Sequence, residues 1–274
     1  MEHNLTSLQA KLLESLKWFD NFCKENSLRY YAIGGTILGA MRHQGFIPWD
    51  DDIDLGMPRK DYEKLRELSK SLTGRFQIES YDSNAEDYCY PFTKLYDTST
   101  TLVEPKRVNV VRGVYIDIFP LDGMANTEED AFINYKKFRK YTSFFEATNT
   151  CVRKERSWFK NAAIIACKLI PSFLINQRSL RIKLNALCAK NDYDSCKFGG
   201  NLFGSYWERE IIDLSLFGNP KYYAFEDMMI AGPENADAYL TKIYRDWRKL
   251  PPKEKQVSHH DFIHLDLEKS YLNN

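Results

Sequence analysis

Four aspartates crowd into five consecutive positions at Asp50-Asp51-Asp52-Ile53-Asp54, and the apolar residues Ile53 and Leu55 are threaded through them. Carboxylates this close repel one another, and burial adds to the cost. A fold that holds them together needs cations or a solvated edge to offset that repulsion. If Ile53 and Leu55 lie in a strand, successive side chains alternate between faces, so Asp52 and Asp54 share one face. Two carboxylates so placed are near enough to share divalent ions. A solvated acidic turn, or a cap for the next helix, is the plainer alternative; the interleaved apolar residues favour the strand.

The flanks add to this reading. Residues 29–33 (RYYAI) look like a short strand that ends in Gly34-Gly35, and Thr36 to Arg42 reads as a helix start. Glycines let backbone approach phosphate oxygens, and the free N–H groups of a helix start favour negative charge. Alone, a Gly-Gly pair marks a turn equally well. Further on, residues 114–119 place Asp117 in an otherwise apolar strand, where a lone acid is costly unless it meets a metal or a partner. Together these features suggest Asp52, Asp54 and Asp117 as ligands of a two-metal site beside Gly34, Gly35 and Thr36. A calcium loop fits poorly, because Leu55 stands at its glycine position and Asp61 at its twelfth. A metal-dependent glycosyltransferase using Asp52-Ile53-Asp54 to neutralise a nucleotide-sugar diphosphate remains the main rival.

Leu5, Leu8, Leu12, Leu16 and Phe19 recur at helical spacing, which predicts an amphipathic helix over 5–25. Pro58 suits the first turn of a helix running through Tyr62, Leu65 and Leu68 to near Gly74. Strands are expected at 53–55, 76–81, 92–96 and 114–119, with Gly123 closing the α/β portion. Residues 127–191 read as helical and basic, 197–220 as irregular, and 234–247 as a last helix before a polar tail. The expected class is α/β (α+β), a mixed sheet flanked by helices. A catalytic core over 1–125 would carry a mainly helical extension over 126–274.

Lys+Arg and Asp+Glu both number 38, so no general pull toward nucleic acid is expected. The six cysteines are scattered without a CxxC pair, the pattern of reduced thiols in a cytoplasm. No basic and apolar leader is visible, and the apolar stretch 162–170 is broken by Lys168 and stopped by Pro171. Between Lys136 and Lys160, eight basic residues (Lys136, Lys137, Arg139, Lys140, Arg153, Lys154, Arg156, Lys160) are interleaved with Phe138, Tyr141, Phe144, Phe145, Trp158 and Phe159. Such a segment either packs on the core with a solvated basic face or rests on the anionic inner leaflet of a membrane.

Longer blocks carry a family signal. The run from Gly34-Gly35-Thr36-Ile37-Leu38-Gly39-Ala40-Met41-Arg42-His43 through Gly45-Phe46-Ile47-Pro48-Trp49 to Asp50-Asp51-Asp52-Ile53-Asp54 resembles the LicD family of phosphocholine transferases and their fukutin-related relatives. Met57-Pro58-Arg59 with Asp61-Tyr62, the segment Ile116-Asp117-Ile118-Phe119-Pro120-Leu121-Asp122-Gly123, and Tyr239-Leu240 through Pro251-Pro252 to His259 are similar too. Gln44 and Arg245 depart from the family pattern, standing where lysine and glycine are common.

The resemblance implies a nucleotidyltransferase-like mixed sheet, Mg²⁺ (Mn²⁺ as an alternative) on Asp52, Asp54 and Asp117, and a CDP-linked donor such as CDP-choline. The acceptor would be a hydroxyl on a glycan or lipid-linked sugar of the cell envelope. Gly34, Gly35 and Thr36 would cradle the diphosphate, Arg42 and Lys94 would balance charge on the leaving group, and Asp117 would take the acceptor's proton. An aromatic cage for a quaternary ammonium would come from among Tyr30, Tyr31, Trp49, Tyr96, Tyr206 and Trp207. His43 is better explained by the helix C-terminus, and the His260/His264 pair by a solvated tail. A nucleotide-transferring enzyme and an inactive scaffold are the remaining alternatives.

Overall fold

The computed structural model describes residues 2–150, 152, 157–169, 176–258 and 262–273. Helix α1 (Glu2–Glu25) turns Leu8, Leu12, Leu16 and Phe19 into the core, as their spacing predicts. The chain then enters strand β1 (Tyr31–Ala32), helix α2 (Gly34–His43), strand β2 (Asp54–Pro58) and helix α3 (Arg59–Ser69). Strands β3 (Phe76–Glu79), β4 (Thr93–Glu104) and β5 (Val110–Ala125) follow, and then helices α4 (Glu128–Asn149), α5 (Trp158–Leu169) and α6 (Gln177–Cys188). Short strands β6 (Phe198–Gly200) and β7 (Ile212–Asp213), the hairpin β8 (Lys221–Phe225) and β9 (Met228–Gly232), helix α7 (Ala236–Tyr244) and strand β10 (His264–Asp266) complete the order.

The result is a mixed α/β sheet flanked by helices. Its main path runs β1-β2-β5-β4-β10, with β3 on β4, β6 on β5 and β7 on β6. The pairing of β2 with β5 is parallel; the other pairings are antiparallel. Strand β5 is the spine. Its run Val110 to Ala125 is dominated by branched and aromatic residues, and it bonds β4 early, β2 in the middle and β6 at its end.

Several sequence-based boundaries move. The strand expected over 114–119 does not stop at Gly123, which stays in β5 and faces Gly199. There a side chain would strike the Asp192 carbonyl oxygen, 2.6 Å from where a Cβ would sit. Residues 197–220, expected to be irregular, supply β6 and β7 to the main sheet. The β8–β9 hairpin was not foreseen.

The main core gathers residues from Leu8 to Trp247, and a smaller one under α4 and α6 includes Met124, Tyr135, Phe138, Leu184 and Ile211. Buried arginines stitch elements together. Arg59 grips Asp122 through two bonds of 2.7 and 2.6 Å and reaches Asn185 of α6 at 3.2 Å. Arg181, 1% exposed, donates to the carbonyls of Tyr81, Ser83 and Tyr88 and pins the loop after β3. The side chains of Thr127, Asn176 and Asn235 cap α4, α6 and α7. Cys23, Cys89, Cys167, Cys188 and Cys196 are free thiols. Among the described residues no helix is long and apolar enough to cross a membrane.

Arg245, one of the two departures from the family pattern, follows α7 with φ 66° and ψ −107°, a region that disfavours side chains. Glycine meets no such penalty. Arg245→Gly should stabilise the fold by about 1 kcal/mol after allowing for the freer unfolded chain, read as a shift of the urea midpoint.

Candidate active site

Backbone geometry first decides what lies at the sheet's acidic end. Helix α2 begins directly after β1, with Ile33 extended and no side-chain cap. Gly34 has φ +55°, and a Cβ there would sit 3.1 Å from Asp54 Oδ2; one at Gly35 would sit 2.7 Å from Asp50 Oδ2. The glycines are needed because two carboxylates press against this first helical turn, where the helix dipole favours negative charge. Gly34 N–H donates to Tyr239 Oη at 3.2 Å, and Asp54 N–H donates to Thr36 Oγ1 at 2.8 Å. Gly34, Gly35 and Thr36 thus adjoin the acids, with two of their polar groups engaged inside the protein.

Strand pairing sets the acids. Asp54 of β2 lies directly beside Asp117 of β5, and Lys94 of β4 lies beside Asp117 on its other flank. Lys94 Nζ donates to Asp117 Oδ1 at 2.5 Å, while Lys94 is 1% exposed. Its ammonium also sits 3.2 Å from the Tyr115 ring centroid and 4.2 Å from that of Tyr90. Both tyrosine hydroxyls donate to the buried Glu104.

Asp52 precedes the strand proper, which begins at Asp54, although Asp117 N–H bonds the Ile53 carbonyl at 2.9 Å. Among the described residues, the carboxylates whose oxygens all lie within 4.8 Å of one another are Asp50, Asp51 and Asp52. The trio Asp52, Asp54 and Asp117 is a more open set. Asp51 is buried and bonded to the Ser258 hydroxyl.

Electrostatics join the two groups. Burial, then the charges of Asp52, Asp117 and Asp50, push Asp54 well above the usual carboxylate range, with Lys94 pulling the other way. Burial likewise pushes Asp117 up, and Lys94 opposes it. A surplus of negative charge is what a site for divalent cations offers, so the residues present fit such ions.

Arg42 points elsewhere. Its Nη1 donates to the Trp247 carbonyl at 3.1 Å and its Nε to His43 Nε2 at 3.0 Å. Burial and then Arg42 lower the pKa of His43, which packs edge-on to Trp49. Of the aromatic candidates, Tyr30, Tyr31 and Tyr96 are sealed in the core, whereas Tyr206 and Trp207 stay exposed. His260 lies outside the described residues, and His264 sits exposed on β10.

Beside the acids lies a group of which the sequence reading had named Tyr206 as an aromatic candidate and had missed Glu210. Tyr206 meets Tyr244 edge to face at 4.9 Å, and the Asp54 charge is felt by Tyr206, Tyr239 and Tyr244 alike. Glu210, 5% exposed, accepts from Tyr206 N–H at 3.3 Å. Tyr239 and Tyr244 had a sequence signal through the late family block and Tyr206 through its aromatic ring; a glutamate in an irregular stretch carries none.

The class of protein this defines is a mixed α/β domain whose sheet carries an acidic end beside a glycine-started helix. Residues 27–154 match the family model described as LicD/FKTN/FKRP, nucleotidyltransferase domain, so this part of the chain is similar to that family. It is 27% identical over 259 residues to the lipopolysaccharide cholinephosphotransferase LicD of Haemophilus influenzae, covering 93% of this chain and 96% of that one. It is 35% identical over 63 residues to the human ribitol 5-phosphate transferase FKRP, 23% of this chain and 13% of that one. Mannosyltransferase regulator 4 of Saccharomyces cerevisiae is 25% identical over 150 residues, 52% of this chain and 12% of the yeast protein.

Burial raises the Glu210 carboxyl from 4.5 to about 8. Between those values the folded protein keeps a proton that the unfolded chain has lost, so stability falls as pH rises through the window. Urea titrations from pH 5 to pH 8 should show a decline of a few kcal/mol, and Glu210→Gln should flatten it. An identical slope in the variant would remove Glu210 as its source.

Proposed function

We propose that the protein transfers phosphocholine, or a related polyol-phosphate group, from a CDP-activated donor to a sugar hydroxyl of a cell-envelope glycan precursor such as a teichoic acid or lipopolysaccharide. One observation carries the proposal: Asp54 and Asp117 stand abreast on parallel strands against the glycine-started helix α2. End-to-end similarity to a cholinephosphotransferase supports the choice of head group.

Asp52, Asp54 and Asp117 would hold Mg²⁺ or Mn²⁺, with Asp50 adjoining. The ions supply Lewis-acid neutralisation of the donor diphosphate. The remaining work falls to the chain. Bare backbone at Gly34 and Gly35 leaves room for phosphate oxygens, and the first turn of α2 favours their charge. Lys94 fixes one oxygen of Asp117 and so orients the carboxylate. Burial leaves that carboxylate more basic than usual, suited to taking the acceptor hydroxyl's proton as the oxygen attacks the head-group phosphorus and CMP departs. The exposed ring of Tyr206, beside Tyr244, is the aromatic face best placed for a quaternary ammonium. A nucleotide-activated donor would be consistent with a cytoplasmic reaction.

The test is incubation with Mg²⁺, envelope extract and a panel of CDP-choline, CDP-glycerol, CDP-ribitol and UDP-sugars. CMP release from one CDP donor is expected; release of UDP instead would transfer the assignment to the glycosyltransferase reading. Asp52→Asn should cut turnover roughly a thousandfold with the fold intact. The same change should abolish the rise in melting temperature that Mg²⁺ gives the unaltered protein by binding its folded state.

A further inference from the structure

Charge is not spread evenly along this neutral chain. From Lys136 to Lys190 there are 13 lysines and arginines against the two acids Glu146 and Glu155, so this stretch carries +11 and the remainder −11. The structure turns most of this stretch into α4, α5 and α6, and α4 packs against both of the others. Lys136, Lys137, Lys140, Lys160, Lys183 and Lys190 are all exposed. Arg153, Lys154 and Arg156 lie outside the described residues.

The same helices expose apolar side chains. Trp158 is 69% and Phe159 66% exposed, and their rings stack on each other at 3.6 Å. Ala162, Ala163, Ile165 and Ala166 of α5 are exposed as well, while Ile164 alone on that helix is buried among the residues whose side chains are described. Tyr141 and Phe144 of α4 line an apolar groove of about 430 Å³ with Leu187 of α6, and Lys183 stands at its edge. A helix packed for its protein neighbours would bury these rings. Outward tryptophan and phenylalanine rimmed by lysine is the composition of an element lying in a lipid interface.

We propose that α4, α5 and α6 form a docking surface for an anionic lipid bilayer. Charge complementarity favours that occupant: the exposed lysines of α4, α5 and α6 belong to a cationic stretch on a chain whose remainder is anionic, so the repelled remainder would face away from the lipid. The exposed rings favour lipid over a soluble polyanion, which would leave them in water. The surface stands independently of the catalytic proposal. If both hold, the acceptor reaches the acids from a membrane-borne precursor.

Flotation of the intact protein on phosphatidylcholine vesicles with and without phosphatidylglycerol tests it without any turnover. Binding should require phosphatidylglycerol and weaken with salt. Each of Lys137→Glu, Lys140→Glu and Lys160→Glu should lower the partition coefficient about fivefold or more. Trp158→Ala with Phe159→Ala should weaken it while leaving the melting temperature unchanged. Three vesicle outcomes overturn the proposal: no flotation with phosphatidylglycerol, equal flotation on neutral vesicles, or unaltered flotation in the lysine and aromatic variants. So does tighter binding to an RNA oligomer that ignores the aromatic change.

Discussion

The parallel pairing of β2 with β5 is the constraint on which the acidic site depends. It sets Asp54 beside Asp117, and the antiparallel neighbours extend the row to Lys94 and then Glu79. Paired positions on adjacent strands project to the same face, so four charged residues from four strands meet in one line. Register holds them there. Leu55, Ile116 and Ile118, together with Ile53 just ahead of β2, are fully buried, and a slip of one residue would exchange that apolar set for the acids. The hydrophobic side of the sheet thereby fixes the charged side.

Holding that row together is costly. Asp54 meets Asp52, Asp117 and Asp50, and the cation in direct contact with Asp117 is Lys94. Lys94 is sealed beneath Tyr90 and Tyr115, so its charge is spent on Asp117 from within the core. The sequence reading assigned it to the leaving group; its geometry suits it to aligning a carboxylate. Gathered acids of this kind are what the proposed cation site would draw on. Stability is supplied elsewhere, by the main core and by ties such as Arg59 to Asp122.

Legibility followed the range of the interaction. The α1 stripe, the acid-and-apolar alternation at 50–55 and the apolar strand around Asp117 are local patterns, and each emerged near its expected place. What was hidden depends on partners distant in the chain. Nothing in Phe92-Thr93-Lys94-Leu95-Tyr96 says that Lys94 faces Asp117, because strand register is settled by the whole sheet. Strands of two or three residues such as β6 and β7 are too short to show a period, so they passed as irregular. Arg245 was flagged only by comparison with a family pattern; its positive φ is one that a glycine would hold without strain.

The match to the family model ends at residue 154, yet Tyr239, which accepts from Gly34 N–H beside the acids, and Tyr206 and Tyr244, which also feel the Asp54 charge, lie beyond it. On the function proposed above, phosphate chemistry would rest on the acids and the glycine-started helix. Choosing between a quaternary ammonium and a polyol requires the groups that face whatever the phosphate carries. A relative that shares 63 residues can share the former without the latter, whereas one aligned over 93% of the chain has a counterpart for both. On the function proposed above, head-group preference would be sought among these tyrosines rather than among the aspartates.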